Sequence, residues 1–330
     1  MMLGLVDCGS WLVFLAYITL FVNNNLLIVL TKDEQDGYSY STVLVTLLIE
    51  LFKLMVAVIF YCLKYSFAKL ITDLQSNNSG FAFYLLPSAL YSVFNNLAFL
   101  NLAYFDPTTY AVLLQFSIVV TGVLYQYMFK RDLTWLQWIS LLVLTSGCIL
   151  THFKESKEVL FKLRDVFILL QVLCSSFASV YNEYLLKSYS SQVDFWLQSV
   201  FMYTDTSLCS VALMIAMGRL SPAMLTTSSM RSMFQPMVIL IVTNNVTAGL
   251  VTGVFLHKLN SVLKKFAVAI EMIIIAVLSK FLLGTAVEIS TAISVLLVSL
   301  SIILYSLNPL GSEREKVVRP DLKCSNGVGY

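Results

Sequence analysis

Long apolar stretches separated by short polar breaks run through almost the whole chain, each close to the roughly 20 residues that cross a bilayer as a helix. The pattern predicts ten spans, near 10–30, 41–63, 82–103, 108–129, 133–152, 165–186, 195–217, 236–256, 262–283 and 287–307. No break between them is long enough for a soluble domain. The first stretch exceeds a signal-peptide core and is followed by no small-residue cleavage site, so it reads as an uncleaved signal anchor. Five spans precede residue 152 and five follow it, and a signature recurs between the two sets. Asn95 and Asn96, followed by Val112, Leu113 and Phe116, are echoed by Asn244 and Asn245, followed by Val262, Leu263 and Phe266. Ile139-Ser-Leu-Leu-Val-Leu is answered by Ile293-Ser-Val-Leu-Leu-Val. An odd number of spans per copy places the copies in opposite orientations, an architecture that lets a carrier rock about a midplane site. The expected fold is therefore all-α, a polytopic membrane protein of ten transmembrane helices built as two inverted five-helix repeats. The repeats cover 1–152 and 153–310, and a polar tail, 311–330, reads as disordered.

Composition agrees with a lipid-embedded chain. Hydrophobic residues make up 58% and charged residues 12% of the sequence, the balance of an integral membrane protein. With a net charge of +2 and no basic run, the chain offers nothing to nucleic acid or to a polybasic lipid site; its expected surroundings are the bilayer. The six cysteines have no metal-knuckle or redox spacing and read as small buried hydrophobes. Orientation follows from the basic residues of the loops. With the amino terminus in the cytosol, twelve Lys and Arg fall on the cytosolic side and seven opposite, so both termini are expected in the cytosol.

Ionisable residues inside spans mark function, because each costs about 2.5–3.5 kcal/mol on insertion scales unless it meets water or a partner. Glu50 and Lys53 lie three residues apart on one helix face, and two readings stand: an ion pair that only locks helices together, or a cavity-lining Lys53 restrained by Glu50. Lys264, seven residues before Glu271 on much the same face, is placed to meet an anionic substrate. Lys265 is rotated by about a quarter turn and reads as an interfacial anchor. Tyr91 and Asn95, one turn apart, offer a phenol and an amide suited to a base or ribose. Tyr110, Gln115 and Tyr203 add aromatic and polar surface. Glu183 and Lys187, four apart, have the order of a structural helical ion pair.

No catalytic constellation accompanies them. His152 and His257 fall at opposite membrane faces, and there is no HExxH, nucleophile elbow or phosphate loop. Neither an enzyme nor a bound cofactor or metal is expected.

From Tyr91 to Leu150 the chain resembles the nucleotide-sugar transporter family, in the clade of the CMP-sialic acid, UDP-galactose and UDP-N-acetylglucosamine transporters. The residues that carry the resemblance are Tyr91-Ser-Val-Phe-Asn-Asn-Leu-Ala-Phe-Leu, Asp106 to Tyr110, and Leu136-Gln-Trp-Ile-Ser. Glu50 with Lys53, the run Cys174 to Lys187, and Leu263-Lys264 ahead of Phe266 agree with it. The resemblance implies a fold of the drug/metabolite transporter superfamily in Golgi or endoplasmic reticulum membranes. It also implies exchange of a cytosolic nucleotide sugar for a lumenal nucleoside monophosphate. Asn95 and Tyr110 would contact the nucleotide, Tyr203 the base or ribose, and Lys264 the phosphate, with Glu50 and Lys53 lining the cavity. Three departures stand out. Members of the clade carry a lysine after Tyr-Gln-Leu in the fourth span, where this chain reads Leu114-Gln115-Phe116-Ser117. Ser199 replaces an asparagine, and Gly253 replaces the serine after Thr252. Asp205 and Glu271 add carboxylates, so the sequence suggests a site with fewer cations and more acids than its relatives have.

Obligatory exchange is the expected mechanism, since unpaired lysines would have to cross an occluded state without an anion. The alternative is a proton-coupled exporter of small organic metabolites, with Glu271 or Asp205 carrying the proton. The sequence leaves a homodimer open. The expected topology makes a direct prediction about glycans, because Asn77-Asn78-Ser79 is an acceptor sequon in a loop kept cytosolic. Asn77 stays unmodified in secretory membranes, seen as unchanged gel mobility after endoglycosidase treatment; a mobility shift abolished by Asn77→Gln would invert the topology.

Overall fold

The computed structural model describes residues 7–31, 40, 42–104, 114, 116–130, 132–150, 163–188, 193–216, 218, 233–283 and 289–307. Among these residues there are eleven helices and no strand. In chain order they are α1 (Cys8–Leu30), α2 (Thr42–Lys64), α3 (Phe67–Ser76), α4 (Ser79–Tyr104), α5 (Ser117–Phe129) and α6 (Trp135–Leu150). The second half contributes α7 (Leu163–Ser188), α8 (Phe195–Ala216), α9 (Pro236–Lys258), α10 (Ser261–Leu283) and α11 (Ile289–Leu307). Helix is the form an apolar chain takes in lipid, where each backbone amide and carbonyl must be satisfied within its own segment. Among the described residues four stretches are long and apolar enough to cross a membrane: Leu44–Lys64, Val166–Ser188, Phe195–Ala216 and Pro236–Lys258. Shorter apolar helices occupy Cys8–Asn24, Ser117–Phe129 and Trp135–Gly147. The all-α class expected from the sequence is the class observed among the described residues, with four candidate membrane spans where the sequence pattern predicts ten. Tyr110 and Gln115, the basic cluster between α6 and α7, and the tail 311–330 lie outside the described residues.

α3 differs from its neighbours in sitting on an edge. Ser66 caps it by accepting from the Lys69 amide at 3.2 Å, one of the free donors of a helix start. Leu70 and Leu74 turn inward onto Tyr61, Tyr84, Leu185 and Phe201, while Phe67 and Ile71 stay exposed. Apolar outward residues beside Lys69 suit a helix lying at the lipid headgroups.

The heaviest packing joins helices from before residue 152 to helices after it. α4 lies along α7 and α8, α2 along α8 and α9, and α1 along α9 and α10; α5 meets α7 and α10, and α6 meets α11. One apolar core gathers Phe14, Tyr17, Ile118, Leu141, Phe255 and Phe266 from α1, α5, α6, α9 and α10. Another gathers Tyr61, Tyr84, Leu185, Leu197 and Phe201 from α2, α4, α7 and α8.

Polar side chains fix the register of these contacts. Asn23 Nδ2 donates to Asn244 Oδ1 at 2.9 Å, Asn244 Nδ2 donates to the Leu20 carbonyl at 3.0 Å, and Asn245 Nδ2 donates to Asn24 Oδ1 at 2.6 Å. The α1/α9 seam is thus stitched by four asparagines. On the other side, Tyr84 donates to Gln198 Oε1 at 2.6 Å and Asn101 Nδ2 to Gln171 Oε1 at 2.7 Å. Interhelical hydrogen bonds of this kind contribute about 0.6 kcal/mol each on average in a membrane, so their larger effect is to specify alignment.

Candidate functional site

Three apolar helices converge where α2 carries two opposite charges. Lys53 Nζ donates to Glu50 Oε1 at 2.6 Å, and the two side chains are only 13% and 8% exposed. The three-residue spacing puts both on one helix face, and burial makes each the partner the other requires. Lys53 Nζ also lies 5.4 Å from the centre of the Tyr203 ring of α8, within the range of a cation–π contact. Tyr203 donates in turn to the Gly249 carbonyl of α9 at 3.4 Å. Glycine at 249 makes room for Lys53, since a Cβ there would come within 2.5 Å of Lys53 Cδ and push the lysine stem aside. The lysine stem therefore runs in a notch on α9.

Phenols extend this centre across the molecule. Tyr203 is within electrostatic reach of Glu50 and of Tyr91 on α4. Tyr91 lies beside Ser179 and Asn182 of α7, and Tyr17 of α1 is within reach of both Tyr91 and Glu271 of α10. A row of polar groups thus links α2, α8, α4, α1 and α10. Asn95, one turn beyond Tyr91, is exposed and makes no hydrogen bond with the described residues. An amide left open on a helix of this composition needs water or a ligand rather than lipid. Asn244, at the echoed position of the second signature, is 6% exposed and fully engaged with α1.

The start of α10 holds two further cations. Lys264 and Lys265 are both partly buried, and neither has a carboxylate partner among the described residues. Contrary to the expected interfacial anchor, Lys265 points into the protein: its Nζ donates to Ser117 Oγ of α5 at 2.9 Å. Ser117 is buried, and its carbonyl accepts from Ser176 Oγ of α7 at 3.2 Å. Glu183 and Lys187 set where α10 begins. Glu183 Oε1 accepts from Lys187 at 2.7 Å, Glu183 Oε2 accepts from the Ser261 amide at 2.6 Å, and Lys187 donates to the Leu259 carbonyl. A carboxylate on the first amide of a helix satisfies an otherwise free donor and opposes the helix dipole, so this pair positions the two lysines that follow.

Of the residues singled out in the sequence, Glu50, Lys53, Tyr91 and Tyr203 come together. Ser199 and Thr252 spend their hydroxyls on their own helices, donating to the Phe195 and Ala248 carbonyls at 3.0 and 2.7 Å. Lys264 lies on a helix packed against α1 and α5. Tyr17, Asn182, Ser117 and Lys265 were not predicted as site residues. Asn182 carried a signal through the run Cys174 to Lys187, and Ser117 through the missing lysine of the fourth span. Asp205, 4% exposed on α8, has an Oδ2 without a hydrogen bond. Among the described residues no group of three or more His, Cys, Asp or Glu could hold a metal ion.

The chain matches the model of the family described as "Nucleotide-sugar transporter" over residues 10–306. The UDP-galactose transporter senju of Drosophila melanogaster is 36% identical, covering 91% of this chain and 87% of that protein. CMP-sialic acid transporter 2 of Oryza sativa subsp. indica is 23% identical over 88% of this chain and 82% of its own. A crystal structure with 13% sequence identity superposes with a TM-score of 0.66, covering 92% of this chain and 98% of that one, which is agreement of fold alone.

The Glu50/Lys53 pair generates a stability prediction. Removing one member leaves a buried charge unpaired, at a cost of about 3–5 kcal/mol, whereas replacing both with apolar groups is close to neutral. Glu50→Leu and Lys53→Met each lower the melting temperature of the detergent-solubilised protein, and the double variant recovers most of the loss. Additive losses would show that the two charges do not depend on each other.

Proposed function

The chain belongs to the nucleotide-sugar transporter family, and from that premise we propose that it exchanges a cytosolic nucleotide sugar for a lumenal nucleoside monophosphate by alternating access. The observation that carries this reading is the cation pair at the start of α10, which lacks any acid to balance it among the described residues. An anion supplies the missing charge. The phenols Tyr91 and Tyr203 and the open amide of Asn95 offer hydrogen bonds and ring faces for a base and ribose. Tyr110, Gln115, Ser199 and Thr252 complete the set of residues proposed to line the route. Members of this family named for UDP-galactose and CMP-sialic acid define the two substrate chemistries to be tested first.

Helix pairing supports two inverted five-helix copies. Exchanging α1, α2, α4, α5 and α6 for α7, α8, α9, α10 and α11 turns the α4/α7 contact into α9/α1, α4/α8 into α9/α2, and α5/α7 into α10/α1. All six are present. The remaining cross-pairs, α2/α8, α5/α10 and α6/α11, map onto themselves, as pairs on a pseudo-twofold axis would. Lys53 with Tyr203 lies on the first and Lys265 with Ser117 on the second. Charged groups on such an axis are equally placed to face either side when the copies rock. An empty carrier would have to occlude unpaired lysines, which costs several kcal/mol; a bound anion removes that penalty, so turnover requires a load in both directions. We place the protein in Golgi or endoplasmic reticulum membranes with both termini in the cytosol.

The unpartnered Oδ2 of Asp205 favours a second reading, a proton-coupled exporter of small organic metabolites in which that carboxyl binds the proton. Proteoliposomes separate the two. UMP preloading raises UDP-galactose uptake by at least about tenfold over empty vesicles, the scale of one lost ionic hydrogen bond, and Lys264→Ala abolishes the stimulation. Uptake independent of internal nucleotide, or driven by a pH gradient alone, would overturn exchange in favour of the second reading.

A further inference from the structure

We propose that Lys265 is a second phosphate-binding cation, steadied by Ser117, and that with Lys264 it selects a diphosphate-linked nucleotide sugar over one joined through a single phosphate. This rests on the nucleotide-sugar reading above and assigns the charge its site requires.

The interior accounts for its other described cations. Lys53 has Glu50 and Lys187 has Glu183, whereas Lys265 lies within electrostatic reach of Lys264 and neither meets a carboxylate among the described residues. Adjacent ammonium groups in a low-dielectric setting repel, and the arrangement is at ease only with about two negative charges close by. A phosphodiester brings one; a pyrophosphate diester brings two on neighbouring groups. A nucleoside monophosphate, at roughly −1.5 to −2 near neutral pH, brings nearly the same charge on the return journey. The incoming donor and the outgoing product therefore balance the pair equally well.

Hydrogen-bond capacity points the same way. Lys265 uses one N–H on Ser117 Oγ, which leaves two of its three donors. Ser117 is an acceptor in that bond and keeps its own hydroxyl proton to give. Its position is fixed by burial and by the Ser176 contact to its carbonyl, so the ammonium is held rather than free to snorkel toward an interface. Ammonium groups, hydroxyl and fixed geometry together make an acceptor-rich, doubly charged ligand the natural occupant.

Lys265→Gln tests this, because glutamine keeps a donor for Ser117 while losing the charge. Binding of uridine, UMP and UDP to the purified full-length protein is measured by calorimetry, with the cytidine and guanosine series run in parallel. In the preferred base series the variant binds the diphosphate about 10- to 100-fold more weakly, the scale of a charged hydrogen bond. Its nucleoside binding is unchanged, its monophosphate binding falls as well, and the preference for UDP-galactose over a phosphodiester-linked CMP-sugar shrinks. Ser117→Lys added to Lys265→Gln returns a cation from α5 and restores diphosphate affinity. Unchanged diphosphate binding in Lys265→Gln would overturn the proposal while leaving nucleotide transport standing, and equal loss of nucleoside, monophosphate and diphosphate would reduce Lys265 to a packing role. A wild-type protein that binds no member of any series would sink the transporter reading and this proposal with it.

Discussion

Charge inside a bilayer has to be answered by an opposite charge or by water, and the arrangement of this molecule follows from how each interior charge is answered. Glu50 is answered by Lys53 within one helix face. Glu183 is answered by Lys187, and the same carboxylate takes the Ser261 amide and so defines the start of α10. What remains at that start, Lys264 and Lys265, has no carboxylate partner among the described residues. Two closed pairs hold the scaffold, and under the proposed function the open pair takes its counter-charge from the ligand. A carrier that kept its binding cations permanently paired would have no need of a substrate to cross its occluded state.

The two halves use one sequence signature for different ends. In the second copy, Asn244 and Asn245 are consumed in the α1/α9 seam, bonded to Asn23, Asn24 and the Leu20 carbonyl. In the first copy, Asn95 is exposed and unbonded among the described residues, although Gln171 bonds the Phe94 carbonyl beside it at 3.1 Å. The same amide is thus engaged in one half and open in the other. Under the proposed function, a ligand that meets both Asn95 and the α10 lysines spans the boundary between the halves.

Much of the fold was legible in the sequence because lipid imposes a simple code: apolar length gives helices, and helical spacing gives the ion pairs of α2 and α7. Glu50/Lys53 and Glu183/Lys187 are local facts, set by three- and four-residue separations, and the structure shows both. Gly249 was not legible as the notch for Lys53, because that role depends on how closely α9 approaches α2. Tyr17 falls in an unremarkable apolar stretch and gains significance only from lying within electrostatic reach of Tyr91 and Glu271. Lys265 shows the limit most clearly. Its rotation away from the Lys264 face suggested the membrane interface, but α5 lies on that side and presents Ser117. The sequence also registered a missing cation in the fourth span at Leu114-Gln115-Phe116-Ser117. That a lysine from α10 reaches this very serine is a tertiary fact with no local trace.

Electron cryo-microscopy of the protein with bound nucleotide examines the central claim most directly. The account predicts phosphate density in contact with Lys264 Nζ and Lys265 Nζ, with the nucleoside directed toward Tyr203, Tyr91 and Asn95. Phosphate density at Lys53, or a nucleotide bound away from α10 with both α10 lysines still free of any anion, would contradict it.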